Sequence, residues 1–209
     1  WWELAKPLAQ HTIDIDIYDT DLDRVAYNGG LFWHTSHYRD ARTSTHRTFS
    51  KMMDSEKHAV NGGGPGNEHN FTSGLLLYYQ LTGNATAKRT VLRLADWVIA
   101  MDDGNQDLLS PFNRNPTGKA SSTRQRNYHG PGRGVGNSIN ALIDGWQLTQ
   151  DDSYLQYCCK LVHRCVHPCD DLSKLELGDS ENRWSYPIAL QALSRFISII
   201  GDNAPDTSA

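Results

Sequence analysis

Two stretches of this chain carry the same pattern at an offset of 67 residues, counted from Asn70 to Asn137, and the repeat limits what the chain can fold into. The first runs from Gly66-Asn67-Glu68-His69-Asn70 to Leu81-Thr82-Gly83-Asn84. The second runs from Gly136-Asn137-Ser138-Ile139-Asn140 to Leu148-Thr149-Gln150-Asp151. In both, an Asn leads through small and apolar residues to aromatic-Gln-Leu-Thr, then a polar turn, then a second apolar helical pattern. Helix pairs that recur in this way cannot bury their apolar faces alone and must stack on one another. The polar segments entering the first helix of each pair are then the place to look for chemistry.

The periodicity predicts helical hairpins over 70–82 with 86–101 and over 137–149 with 152–166, and a last apolar helix over 186–200. In the second helix, Val91, Leu94, Ala95, Val98 and Ile99 fall at helical spacing. A further helix is expected over His37–Met53, which holds no Gly or Pro. Residues 1–30 are expected to be an extended, acidic N-terminal segment, because Ile13, Ile15 and Ile17 alternate with Asp14 and Asp16 at a period of two. That segment has Asp at several positions, yet it lacks the Gly and terminal Glu of a calcium loop. Residues 31–201 form the hairpin domain and 202–209 a flexible tail. Short turns at 83–85 and 150–152 alternate with long polar segments at 54–69, 102–134 and 167–184. This asymmetry gathers the long segments at one end of the array, where binding and catalysis tend to concentrate.

Composition excludes some partners. A formal charge of -4 gives no electrostatic footing for nucleic acid. No apolar run approaches the ~20 residues of a membrane span. The chain opens at Trp1-Trp2 with no Met, as a processed protein or an excised fragment would. Cys158, Cys159, Cys165 and Cys169 crowd into one short stretch with His163 and His167. A disulfide framework would spread them out, and a second ligand pair of the usual spacing is missing. They read as reduced structural thiols rather than as a metal site. The sequons Asn70-Phe71-Thr72 and Asn84-Ala85-Thr86 are short matches with little weight.

The Gly66–Asn70 segment through Leu81–Asn84, the Leu94-Ala95-Asp96-Trp97 run, and Gly136-Asn137 through Asp151 together resemble the α/α-toroid carbohydrate-active enzymes. These are the six-hairpin glycosidases and the toroidal polysaccharide lyases. The likeness covers about residues 31–200 and is architectural rather than catalytic. It implies an all-α array of antiparallel hairpins, part of an α/α toroid, since a full toroid has several more hairpins. It also implies an oligo- or polysaccharide substrate and no cofactor. An incomplete toroid predicts exposed apolar helix faces, and hence an oligomer or a missing segment.

Three clusters could line such a site. The first, Trp33 to Arg47, has too few apolar residues for a buried stripe and offers His34, His37, Tyr38, Asp40 and Arg42. The second is Asn67-Glu68-His69-Asn70, behind a Gly-rich loop. Here Glu68 is a candidate general acid or base, His69 a proton carrier, and Asn70 a donor to a sugar. These residues would also serve to cap a helix. The third is Tyr128, His129 and Arg133, with Arg able to fork a carboxylate.

Hydrolysis needs two carboxylates across the scissile bond, ~5–5.5 Å apart for retention or ~6.5–9.5 Å for inversion. Asp40 and Glu68 are that pair by context. A lyase acting on a uronate would instead use Tyr38 or a His as base, with Asn70 or Arg133 neutralising the carboxylate. A third reading is a non-catalytic glycan- or protein-binding module. Hydrolysis ranks first because the resemblance implies that it is the commoner activity in this architecture.

Overall fold

The computed structural model describes residues 1–19, 28–31, 66–102, 112, 132–166, 168–176, 178–179 and 185–203. Among these the chain is all-helical. Six α-helices are formed: α1 (Trp2–His11), α2 (Ser73–Thr82), α3 (Ala85–Asp102), α4 (Arg133–Thr149), α5 (Asp152–Cys165) and α6 (Tyr186–Asn203). One antiparallel bridge, Ile17 to Leu31, is the sole β pairing among the described residues.

The two hairpins repeat down to single hydrogen bonds. Thr82 Oγ1 donates to the Tyr78 carbonyl at 2.6 Å, and Thr149 Oγ1 donates to the Gly145 carbonyl at 2.8 Å. Each hydroxyl then accepts the backbone N–H two residues on, from Asn84 and from Asp151. Gly83 and Gln150 both turn through the left-handed region, at φ 69° and 59°. Asn84 Oδ1 takes the Ala87 N–H to cap α3, and Asp151 Oδ1 takes the Ser153 N–H to cap α5, both at 2.9 Å. Thr-Gly-Asn and Thr-Gln-Asp are thus one joint written twice: a hydroxyl closes the first helix and an Asx side chain opens the next.

The two caps differ in one respect. The backbone N–H of Ser153, and then its side chain, hold the Asp151 carboxyl below its ordinary value of 3.8. A depressed carboxyl contributes stability that is complete above its unfolded value and is lost as pH falls through the folded one. The Asn84 cap carries no charge to lose. Acidification below about pH 4 is therefore expected to loosen the start of α5 before that of α3. Residue-resolved hydrogen exchange across that range reads this, and Asp151→Asn should remove the difference. Equal acid sensitivity of the two helix starts in the unsubstituted chain would count against it.

The core lies between the first helices of the pairs and their outer partners. Val98, Ile139, Leu142, Ile143, Cys158, Leu161 and Ala192 are fully or almost fully buried in one cluster spanning α3 to α6. Each large aliphatic side chain contributes about 1.5–3 kcal/mol by leaving water. A smaller cluster joins Leu75, Leu76, Val91 and Leu94 to Ile17 and Leu31.

Gly136 lets α4 and α6 meet at backbone distance. A Cβ there would stand 2.9 Å from Ala189 N and Cα and from the Ile188 carbonyl carbon. These are backbone atoms that cannot swing aside. Gly136→Ala is expected to cost about 1–3 kcal/mol through this overpacking, measured by urea denaturation. An unchanged midpoint would show that the helices separate freely.

The N-terminal segment departs from expectation. Trp2–His11 is α-helical, and Thr12–Asp16 continues it as a π-helical turn rather than an extended run. The reason is burial. Ala9, Ile13 and Ile17 recur every fourth residue and pack on the smaller core cluster, while Ile15 remains exposed. A period of four therefore overrides the apparent period of two, and extended backbone begins at Ile17. The helix expected over His37–Met53 and the tail over 204–209 lie outside the described residues.

Candidate functional site

A single turn of 3-10 helix, Asn67–His69, precedes α2 and presents Glu68. Asn137, one turn into α4, donates its Nδ2 to the Glu68 carbonyl at 2.8 Å and fixes the turn against the second hairpin. The Glu68 carboxylate accepts from Arg133 Nη2 at 2.6 Å. This pair is half-buried, with side-chain exposures of 43% for Glu68 and 19% for Arg133, so water still reaches the carboxylate. Glu68 and Arg133, expected from the sequence as separate functional groups, are therefore one ion pair. Arg133 is already committed to a carboxylate of its own chain, which weighs against its expected role on a uronate.

Beside this turn lies a cleft of about 730 Å³ between α2, α4 and α6. Asn70, Thr72, Ser73 and Gln80 line one wall, Asn137, Asn140 and Gln147 the second, and Ile188, Gln191 and Arg195 the third. Six of these are carboxamides, each offering two donors and an acceptor. Two pairs are related by the repeat: Asn70 with Asn137, and Gln80 with Gln147. The internal duplication thus brings equivalent side chains to opposite walls. Asn70 is 1% exposed. Its Nδ2 donates to the Leu94 carbonyl at 3.3 Å, and its Oδ1 has no hydrogen-bond partner among the described residues. So buried an amide is not presented to solvent as a glycosylation acceptor.

The floor of the cleft is a charge network not foreseen from the sequence. Asp144 is fully buried. Its Oδ2 accepts from Thr72 Oγ1 at 2.6 Å and Ser73 Oγ at 2.9 Å, and its Oδ1 from Arg195 Nη2 at 2.5 Å. Arg195 also donates to Asn140 Oδ1 and Gln147 Oε1. One carboxylate thus ties the start of α2 to the middle of α4 and α6. A signal for it exists in the sequence: Asp144 stands at the repeat position of Leu77, within the apolar run Ala141-Leu142-Ile143. A second buried carboxylate, Asp102 at the end of α3, is held by the Arg164 guanidinium and the Tyr157 hydroxyl. Both belong to the frame of the fold rather than to free acid–base groups.

His69 goes elsewhere. Its ring meets Phe71 edge-on, with centroids 5.7 Å apart, and lines a second, more apolar hollow of about 470 Å³ with Leu8, Leu31 and Leu75. His69 and Asn70, adjacent in sequence, therefore face different cavities. Asp40, Tyr38, His34, His37, Arg42, Tyr128 and His129 lie outside the described residues. The segments that carry them leave and rejoin the array at the end where Glu68 sits. The Gly66 N–H donates to the Leu31 carbonyl at 3.3 Å, pinning together the two ends of 32–65. Asp102 and Arg133 flank the other segment, opposite the short turns at Gly83 and Gln150.

The four cysteines are free thiols: Cys158 and Cys165 are buried, Cys159 is partly buried and Cys169 is exposed. Burial, with Cys159 beside it, pushes the Cys158 thiol well above its ordinary range, so it packs as a small apolar group. His163 engages the Cys159 carbonyl through Nδ1 at 2.8 Å. Among the described residues no three His, Cys, Asp or Glu side chains converge as metal ligands. No described helix is long and apolar enough to cross a membrane. No protein-family model, curated protein or solved structure matches the chain.

Proposed function

We propose that this chain is a carbohydrate-active helical-hairpin domain, part of an α/α toroid, that binds an oligo- or polysaccharide in the cleft between α2, α4 and α6. On this reading it cleaves a glycosidic linkage with Glu68 as general acid or base. The carboxamide lining carries the reading. Six Asn and Gln side chains line one cleft, and those of Gln80, Gln147 and Gln191 are exposed in it. An exposed amide suits a ligand made of hydroxyls, because it can donate to one hydroxyl and accept from the next. Glu68 supports the catalytic part, as the carboxylate at the same end that water can reach. Its partner carboxylate in this reading is Asp40, which lies outside the described residues.

One observation favours a second reading, a glycan-binding module without turnover. Among the described residues around the cleft, Asp144 is buried and locked and Glu68 is neutralised by Arg133. A single experiment separates the two. The protein is incubated with a panel of neutral and uronate-containing polysaccharides, and both reducing ends and unsaturated-uronate absorbance are followed. Reducing ends alone are the expected result. The absorbance would mean lyase chemistry, and binding without either product would mean a binding module. No binding and no product from a folded protein would reject the carbohydrate reading.

A further inference from the structure

The charges around the cleft are already balanced among the described residues. Among the described residues lining it, Arg195 is the one charged side chain, and Asp144 behind it takes that charge. Arg133, at the start of α4, is spent on Glu68. A uronate carboxylate entering the cleft would meet amides and hydroxyls but no uncommitted cation among these residues. It would have to give up its hydration without an ionic partner. A neutral sugar hydroxyl has no such cost.

Length is the second observation. Asn137 and Gln147 stand ten residues apart on α4, a rise of about 15 Å along the helix. The repeat sets Asn70 and Gln80 along the opposite wall in the same order. The amides therefore follow α4 on one side and the segment from Asn70 into α2 on the other, over a length greater than one sugar ring. We infer that the cleft is an extended groove selective for neutral oligosaccharides over uronates, with the Asn70 and Asn137 end and the Gln80 and Gln147 end holding different units of one chain. This inference rests on the carbohydrate reading above.

The test is calorimetric binding of two series to the whole chain at low and high salt. One series is neutral gluco-, xylo- and manno-oligosaccharides from the monosaccharide to the pentasaccharide. The other is oligogalacturonates of the same lengths. Affinity for a neutral series is expected to rise with each added unit until the groove is filled, to ignore salt, and to exceed that for the uronates by ~tenfold or more. Gln80→Ala alters an exposed side chain with no burden in the core, so the variant folds. It should weaken the longest neutral ligands several-fold and leave the shortest unchanged. Preference for uronates with salt-sensitive binding would overturn the inference while leaving the carbohydrate reading in place. So would affinity independent of length together with a silent Gln80→Ala. A folded protein that binds neither series would overturn both.

Discussion

Asp144→Ala should lower stability by about 3–5 kcal/mol. In a chain of this size that is a fall in melting temperature of roughly 6–20 °C. The size of the effect follows from what is left behind. Arg195, about a quarter exposed, would keep only the neutral oxygens of Asn140 and Gln147. Thr72 and Ser73 would lose the acceptor that anchors the start of α2. A half-emptied ion pair is worse than none, because the surviving charge is desolvated without compensation. Replacing both partners, Asp144→Leu with Arg195→Met, should therefore cost less than Asp144→Ala alone. Thermal and urea denaturation of the three proteins decides this. A loss under about 0.5 kcal/mol for Asp144→Ala would mean that the network holds nothing together.

On the proposed hydrolytic reading, Glu68→Gln should reduce turnover by about 10²–10⁴-fold, the range that a positioned general acid or base supplies, while glycan binding and the fold persist. Gln retains the shape and can still accept from Arg133. The partly exposed ion pair it replaces is worth only about 0–1 kcal/mol, so a collapse of structure is not expected. Michaelis kinetics on the best substrate of the polysaccharide panel, alongside the melting temperature, make the comparison. Unchanged kcat would remove Glu68 from the chemistry and leave it as the residue that orients Arg133.

The hairpins were legible in the sequence because their signals are local. Leu94, Ala95 and Val98 recur at helical spacing, and Gly83 and Asp151 mark turns whose chemistry is set by one or two side chains. The arrangement of the candidate site was legible only in part. Glu68, Asn70 and Arg133 announced themselves through polarity beside a Gly-rich segment, yet their mutual arrangement depends on how the two hairpins stack. Arg195 was hidden because it sits among Leu193, Phe196 and Ile199 in a helix read for its apolar residues. Its partner lies 51 residues away on α4. The N-terminal Ile and Asp alternation misled for a related reason. Five residues fit either period, and the deciding term was the packing of Ala9, Ile13 and Ile17 on helices far along the chain.

The middle position of α4 has a consequence for how the molecule comes apart. Thirteen consecutive residues, Arg133 to Gly145, include eleven that are buried, so this helix shows almost no face to water until its last turn. Every other helix of the two hairpins and α6 leans on it, whereas among the described residues α1 and the outer side of α6, with Leu190, Ile197 and Ile200 exposed, have neighbours on one side only. In a stack of this kind the ends can open while the centre holds. The amide protons of α4 are then expected to be the last to exchange. Loss of α4 would leave the α2–α3 pair, α5 and α6 without the helix they share, and no groove between α2 and α6.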